Sequence, residues 1–417
     1  MGNARIITDH RAAICGMIWF VLIIDACFTW FVPDIARSIV GSFFIIYASF
    51  ILYQNQGIIF SKQRETVAIF LLLLMFYLIL TRFSAARIIS VLFTYGPFVL
   101  VIFWRDSVLL KFYDLFRKFI VFYAILSIFV EVLVLTHLWT RLPCMIFPPQ
   151  DFVQEELGYV NYFYGFFCIP AEDTSLSFYR ACGPLREGGH FVFFIGFVYF
   201  VEKALYNKRN IWLILCGVLT LSPNIVVILL ITEFYCAIKR KSIIKPIIGI
   251  MGVAAGAFLL YFFSPQVIKD EINRIIFERM LEKSIENATD GGGFMAILDA
   301  RGMEGKMSYD SFIHAGFLDK MIGARHFDGE DLMSDFRWMI MYCGFVGTFL
   351  YICFTVVLAF QKNQNLFGLC ILIFALLIFL QRAWMFNQPY VWTMMLLTAT
   401  MNSNLSKKRH HARIVKK

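Results

Sequence analysis

The stretch RACGPLREGGHF, residues 180–191, gathers Arg180, Arg186, Glu187 and His190 directly before an apolar run. Two guanidiniums near the start of a helix suit a phosphate or pyrophosphate, since Arg binds such oxygens in a fork and a helix N-terminus attracts anions. A carboxylate and an imidazole beside them could take a proton from a hydroxyl. Gly183, Gly188 and Gly189 would let the backbone approach a ligand closely. The same residues also fit a plainer role, a basic anchor at a membrane surface with pliant glycines. A second group lies further on: Arg301, His314, Arg325, His326, Asp328, Glu330, Asp331, Asp335 and Arg337. Its clustered acids raise the question of a divalent cation, but DGEDLMSD does not follow the EF-hand loop pattern, and solvated loop charge is the simpler reading. Arg82 and Arg87 form a third, smaller group, suited either to interfacial anchoring or to an anion site. Asp25, Glu131 and Glu233 stand inside apolar runs, where an acid is costly and marks function or a buried ion pair.

The elements that must position these groups are membrane helices. Of the 417 residues, 59% are hydrophobic, 47 are Phe and only 16% are charged. A soluble surface needs about 25% charge. Apolar runs approaching the roughly 20 residues of a bilayer span predict helices near 13–33, 36–53, 67–81, 87–104, 118–139, 190–206, 211–222, 223–238, 243–263, 337–360, 366–381 and 388–401. Helices are required because an isolated backbone in lipid must satisfy its own hydrogen bonds. The run 211–238 would make a helix of about 42 Å at about 1.5 Å per residue, too long for one span. Thr220-Leu221-Ser222-Pro223-Asn224 breaks it, so a pair of short helices with an outward turn is expected. The sequence thus predicts an all-α polytopic membrane protein of about twelve transmembrane helices, forming a single membrane domain over 1–417. No cleavable signal peptide is recognisable, because the first apolar run continues into membrane-like sequence.

Orientation follows from Lys and Arg. With both termini in the cytoplasm, the inner segments and their flanks hold 22 of the 38 basic residues, as the positive-inside rule requires. The net charge of +9 is therefore a topology signal, and nucleic-acid binding is not expected. Two long segments, 140–189 and 264–336, then fall outside the cytoplasm, and loops of that length are usually functional. The second contains 268–287, whose apolar spacing predicts an amphipathic helix at the membrane surface. Of ten cysteines, Cys144, Cys168 and Cys182 fall in the first outer loop, where one disulfide or three thiols are equally consistent. The others, Cys27 among them, lie in or beside apolar runs and read as small hydrophobes.

Three stretches in order resemble one family. RACGPLREGGHF is similar to the R-x-x-G-x-x-x-E stretch before a span in the repeat-unit polymerases of O-antigen and capsule (Wzy-type) and in their relatives, the O-antigen ligases. LTLSPNIVVILL resembles the break after the next span. SDFRWMIMYCGFVGTFLYI, 334–352, resembles the stretch with G-x-x-G that opens the span after the large outer loop. Pro223 stands where the family often has Arg, Cys343 where it often has Glu, and Ser334-Asp335 where the ligases have His-Asn. The last departure favours polymerase over ligase.

The resemblance implies a GT-C-like glycosyltransferase of the bacterial inner membrane, with its active site facing the periplasm and with no cofactor, metal or nucleotide sugar. Donor and acceptor would both be oligosaccharide repeat units on undecaprenyl pyrophosphate, with membrane lipids around them and a chain-length regulator as a further partner. Displacement at the anomeric carbon needs cations at the leaving pyrophosphate and a base at the acceptor hydroxyl. Arg180 and Arg301 are the expected pyrophosphate ligands, with Arg186, Arg82 and Arg337 supporting. Glu187, His190 and Asp335 are the candidate bases. An O-antigen ligase and a lipid-linked oligosaccharide flippase are the alternatives. The long second outer loop argues against a flippase.

Overall fold

Apolar sequence with a helical period and few breakers gives a chain that is helical for most of its length. A computed structural model describes residues 2–24, 26–81, 83–148, 160–171, 180–185, 187–241, 262, 263, 266, 269, 309, 311–323, 335–361 and 365–414. Among them, seven helices are long and apolar enough to cross a membrane: Arg5–Ile23, Asp34–Gln54, Lys62–Thr81, Ala85–Ile102, Asp106–Leu135, Gly188–Tyr206 and Phe336–Phe360. Each overlaps an expected span, the first only over 13–23. The expected span 366–381 is the 17-residue helix Asn365–Gln381, and 388–401 opens the helix Pro389–Ile414. The expected span 243–263, all but its last two residues, and the amphipathic helix 268–287, save position 269, lie outside the described residues.

In chain order we label the helices α1 (Gly2–Ile23), α2 (Asp34–Gln54), α3 (Lys62–Thr81), α4 (Ala85–Ile102), α5 (Asp106–Leu135), α6 (Gly188–Tyr206), α7 (Ile211–Leu219), α8 (Asn224–Arg240), α9 (Phe317–Ile322), α10 (Phe336–Phe360), α11 (Asn365–Gln381), α12 (Ala383–Phe386) and α13 (Pro389–Ile414). The chain forms two compact units. One contains Met1–Asp25, Thr29–Lys118 and Glu304–Lys417; the other contains Ala26–Phe28 and Phe119–Met303.

In the first unit α1 packs on α2, α2 and α3 pack on α4, and α10 packs on α3, α9, α11 and α13. Trp392 of α13 anchors an aromatic core with Tyr95 and Phe98 of α4 and with Tyr351 and Phe354 of α10. The polar segments between helices meet at one end of this unit. Asp9 of α1 is buried against the Arg105 guanidinium and accepts from Ser107 at 2.8 Å. Arg64 pairs with Asp106 at 2.6 Å, and Arg105 N–H donates to Gly57 O at 2.9 Å. The first helix begins well before the expected position 13 and ends at Ile23. Asp9 explains the early start, because its buried partner makes a polar stretch of helix tolerable.

α10 is broken at Gly344, whose φ of 68° and ψ of −179° are non-helical. An added Cβ there would collide with the Met321 carbonyl at the end of α9. Tyr77 of α3 donates to Cys343 O at 2.6 Å, which satisfies a carbonyl at the break. The G-x-x-G of the sequence therefore answers to close packing of α10 against α9 and α3.

In the second unit α6 packs on α7 and α8. All its residues from Gly188 to Leu205 are buried, as an all-round apolar helix demands. The expected break in 211–238 is present: α7 ends at Leu219 and α8 starts at Asn224. Leu221 takes a left-handed φ of 48° in the turn. The basic ends of α6 and α8 come together, with Lys203 on Glu233 at 3.1 Å and Lys239 Nζ donating to Ala204 O at 3.5 Å. Glu233 is thus one end of a buried ion pair. The first long loop contributes a small antiparallel sheet in the order β1 (Met145–Phe147), β2 (Val160–Phe163), β3 (Cys168–Ala171), with Met145 opposite Phe163 and Val160 opposite Ala171.

Candidate functional site

The segment 180–191 folds as a tight turn leading into α6. Leu185 N–H donates to Cys182 O at 3.0 Å to close the turn. Gly183 sits at φ +59°, and a Cβ there would lie 2.6 Å from the ring of Phe191. At Gly188 a Cβ would lie 2.8 Å from the carbonyl oxygens of both Ala181 and Thr220. Gly183 and Gly188 therefore let this turn lie closely against its own chain.

What lies against it is the turn between α7 and α8. Ala181 N–H donates to Leu219 O at 3.0 Å, and half-buried Arg180 donates from Nε to Thr220 O at 2.8 Å. Two motif stretches about forty residues apart are thus in backbone contact. The α7–α8 turn is itself polar and buried. Thr220 Oγ1 donates to Gly217 O at 2.6 Å and accepts from Ser222 N–H at 3.3 Å. Asn224 at the start of α8 is buried, and its side-chain oxygen has no hydrogen-bond partner among the described residues. The sequence marks LSPN as a helix break within a motif stretch and does not single out Asn224. The signal was available in a polar residue placed just after Pro223 between two apolar runs.

Glu187 is the N-cap residue of α6, yet its side chain makes no capping hydrogen bond. It faces His190 instead, with Oε2 3.5 Å from Nε2. His190 is buried on the first turn of the helix, and Glu187 is largely so. The spacing of three residues sets both side chains on one face. A carboxylate beside an imidazole can hold a proton on the ring or take one through it. Arg180, Glu187 and His190 therefore belong to one segment, which lies against the α7–α8 break at Thr220. Arg186 falls outside the described residues.

In the other unit, Asp335 and Arg337 form a closed pair. Asp335 caps α10 by accepting from Arg337 N–H at 2.9 Å, and its Oδ2 takes the guanidinium Nη2 at 2.8 Å and Nε at 3.1 Å. Both side chains are only 3% exposed. The guanidinium also lies 5.7 Å from the ring centre of Tyr309. Both carboxylate oxygens of Asp335 are engaged, which suits a fixed structural anion better than a base. Arg82 and Arg301 lie outside the described residues, as do Asp25 and the acids Asp328, Glu330 and Asp331. Arg87, in the first turn of α4, lies over the ring of Tyr342 at 5.2 Å, and its Nε donates to Leu78 O at 3.4 Å. Among the described residues no group of three His, Cys, Asp or Glu side chains is arranged to hold a metal ion. Compared with known proteins, the chain matches no family model, no curated protein and no solved structure.

Proposed function

We propose that this chain is a glycosyltransferase that polymerises oligosaccharide repeat units carried on undecaprenyl pyrophosphate, on the periplasmic face of the bacterial inner membrane. One observation carries the reading: Arg180 is hydrogen-bonded to Thr220 at the α7–α8 break, and Gly188, between Glu187 and His190, packs against the same Thr220. A cation and a carboxylate–imidazole pair on one segment answer the two needs of the reaction. The guanidinium stabilises charge developing on the departing pyrophosphate. Glu187 and His190 accept the proton of the acceptor hydroxyl as it attacks the anomeric carbon. Asn224 is the nearest orphaned buried polar group in sequence to that break, and it is suited to accept a hydrogen bond from a sugar hydroxyl. Asp335 holds Arg337 in place and is not the base. Arg186, Arg301 and Arg82 remain the further cations of the proposal, with no cofactor and no metal.

The twelve-helix count and the GT-C-like architecture belong to this reading, as do the cytoplasmic termini. The mutual approach of the basic segments within each unit supports the orientation. The glycan profile of cells lacking the protein tests the reading. A polymerase leaves single repeat units on the final acceptor. An acceptor with no glycan would indicate a ligase, and repeat units trapped on the cytoplasmic leaflet would indicate a flippase.

A further inference from the structure

Arg87, marked out by the sequence beside Arg82, has no part in the chemistry proposed above. It is half-buried in the first turn of α4. Two contacts fix its guanidinium. Nε donates to Leu78 O near the end of α3 at 3.4 Å, and Cζ lies 5.2 Å from the ring centre of Tyr342 on α10. Tyr342 stacks in turn on Trp338, with ring centres 4.8 Å apart and planes 10° apart. Both rings are half-buried. Tyr77, next to Leu78, donates to the carbonyl of Cys343, next to Tyr342, at 2.6 Å. The end of α3 and the first turns of α10 are thus held together beside Arg87.

This cation lacks the counter-ion that others in its unit have. Arg37, Arg64, Arg105 and Arg337 each pair with an aspartate. Among the described residues no carboxylate pairs with Arg87. Its place adds to the cost, because the partial positive charge at a helix start repels a cation. The Tyr342 ring attracts the guanidinium but leaves its charge unneutralised. An anion from outside the chain would relieve each of these costs, and the position says which kind. α3 ends at Thr81, α4 begins at Ala85 and α10 begins at Phe336. All three helices are long and apolar enough to cross a membrane, so Arg87 and the two rings lie at one end of three spans. Trp and Tyr favour the level of the lipid headgroups. Phe83 in the α3–α4 connection is exposed, as are Phe345 and Phe349 further along α10, as befits surface that meets lipid. The anion abundant at that level is lipid phosphate, and a guanidinium can hold two of its oxygens at once.

We infer that Arg87, held on Tyr342 and Trp338, binds the phosphate of a membrane lipid. The inference needs only that α4 and α10 span a membrane, and it does not rest on the glycosyltransferase reading. Two kinds of lipid carry that chemistry, an anionic phospholipid and a polyprenyl phosphate.

Lipid titration of the full chain in an uncharged detergent, followed by native mass spectrometry, tests the inference. The probes are phosphatidylglycerol and undecaprenyl phosphate, with diacylglycerol and undecaprenol as their phosphate-free counterparts. The wild-type protein is expected to bind at least one phosphate lipid more tightly than its counterpart. Arg87→Gln is expected to weaken that binding about tenfold or more, the loss of a charge-assisted contact, and to leave the counterpart's binding unchanged. Arg87→Lys keeps the charge without the fork and should fall between the two. Competition between the two phosphate lipids identifies the source, and a winner of either kind supports the inference. Equal affinity of wild type and Arg87→Gln for both phosphate lipids overturns it. So does equal affinity of the wild type for each phosphate lipid and its counterpart. Should Arg87→Gln not fold, the wild type decides, with the same two lipids carrying a diazirine at the headgroup. Cross-links to peptides from 78–87 or 338–342 support the inference, and cross-links confined to other peptides overturn it. Either failure leaves the polymerase reading intact, since Arg87 has no role in it.

Discussion

Under the proposed function Arg180 has two tasks that a lysine can perform only in part. Its Nε ties the loop to Thr220 O at the α7–α8 turn, and its guanidinium fork suits two phosphate oxygens. Losing one charge-stabilising donor at a transition state costs about 3 kcal/mol, or roughly 100-fold in rate. Arg180→Ala is therefore expected to stop chain growth in cells at normal protein levels, and Arg180→Lys to impair it badly; immunoblots of membranes and glycan gels read both together. Asp335 is expected to behave differently. Removing it strands the buried Arg337 guanidinium, so Asp335→Ala should cost about 3–5 kcal/mol of stability, measured as loss of folded protein in detergent on heating. A stable but inactive Asp335→Ala would return the aspartate to the list of bases. At this scale the sequence revealed which groups are chemical and not what they touch. Asp335 followed two residues later by Arg337 gives no sign that the two will close on each other. The glycines of 180–191 look like room for a ligand until Phe191 and Thr220 are seen to occupy it. Cys27 reads as a small hydrophobe because the oxygens that it meets, of Phe166 and Pro184, come from far along the chain.

At the scale of elements, hydropathy and charge carried most of the information. Pro223 and the basic clusters at Lys203–Arg209 and Lys239–Lys245 predict the α7–α8 hairpin, since one long helix would put those clusters on opposite sides. The start of α1 was hidden because Asp9 depends on Arg105, nearly a hundred residues away. The break in α10 was hidden for a similar reason: Gly344 adopts φ 68° only because α9 lies against it. The three strands of the first long loop are 3, 4 and 4 residues long, too short for a period-two pattern to register. Gly344→Ala would combine a left-handed φ with a collision against Met321 O. It is expected to cost about 1–3 kcal/mol from the backbone alone and more from the clash, seen as a lower thermal midpoint. An unchanged midpoint would mean that the break is not built into the helix.

For the molecule as a whole, orientation decides whether any of this chemistry can occur. In the first unit the residues around Asp9, Gly57 and Arg105 meet at one end, and in the second unit Lys203 and Lys239 share an end. Both groupings fit alternating helices with basic ends in the cytoplasm. A cysteine introduced at Gly292 in a cysteine-free background is expected to react with an impermeant thiol reagent in intact cells once the outer membrane is made permeable; labelling only after lysis would reverse the topology. The central claim is polymerisation, and reconstitution tests it most directly. Purified protein is mixed in detergent with undecaprenyl-pyrophosphate-linked repeat units, and lipid-linked glycans are resolved by length. The account predicts a ladder of lengthened chains with release of undecaprenyl pyrophosphate, undiminished by EDTA because guanidiniums carry the charge of the leaving group, and reduced about 100-fold by Arg180→Ala. No ladder from the wild-type protein, or a ladder unchanged by Arg180→Ala, would contradict it.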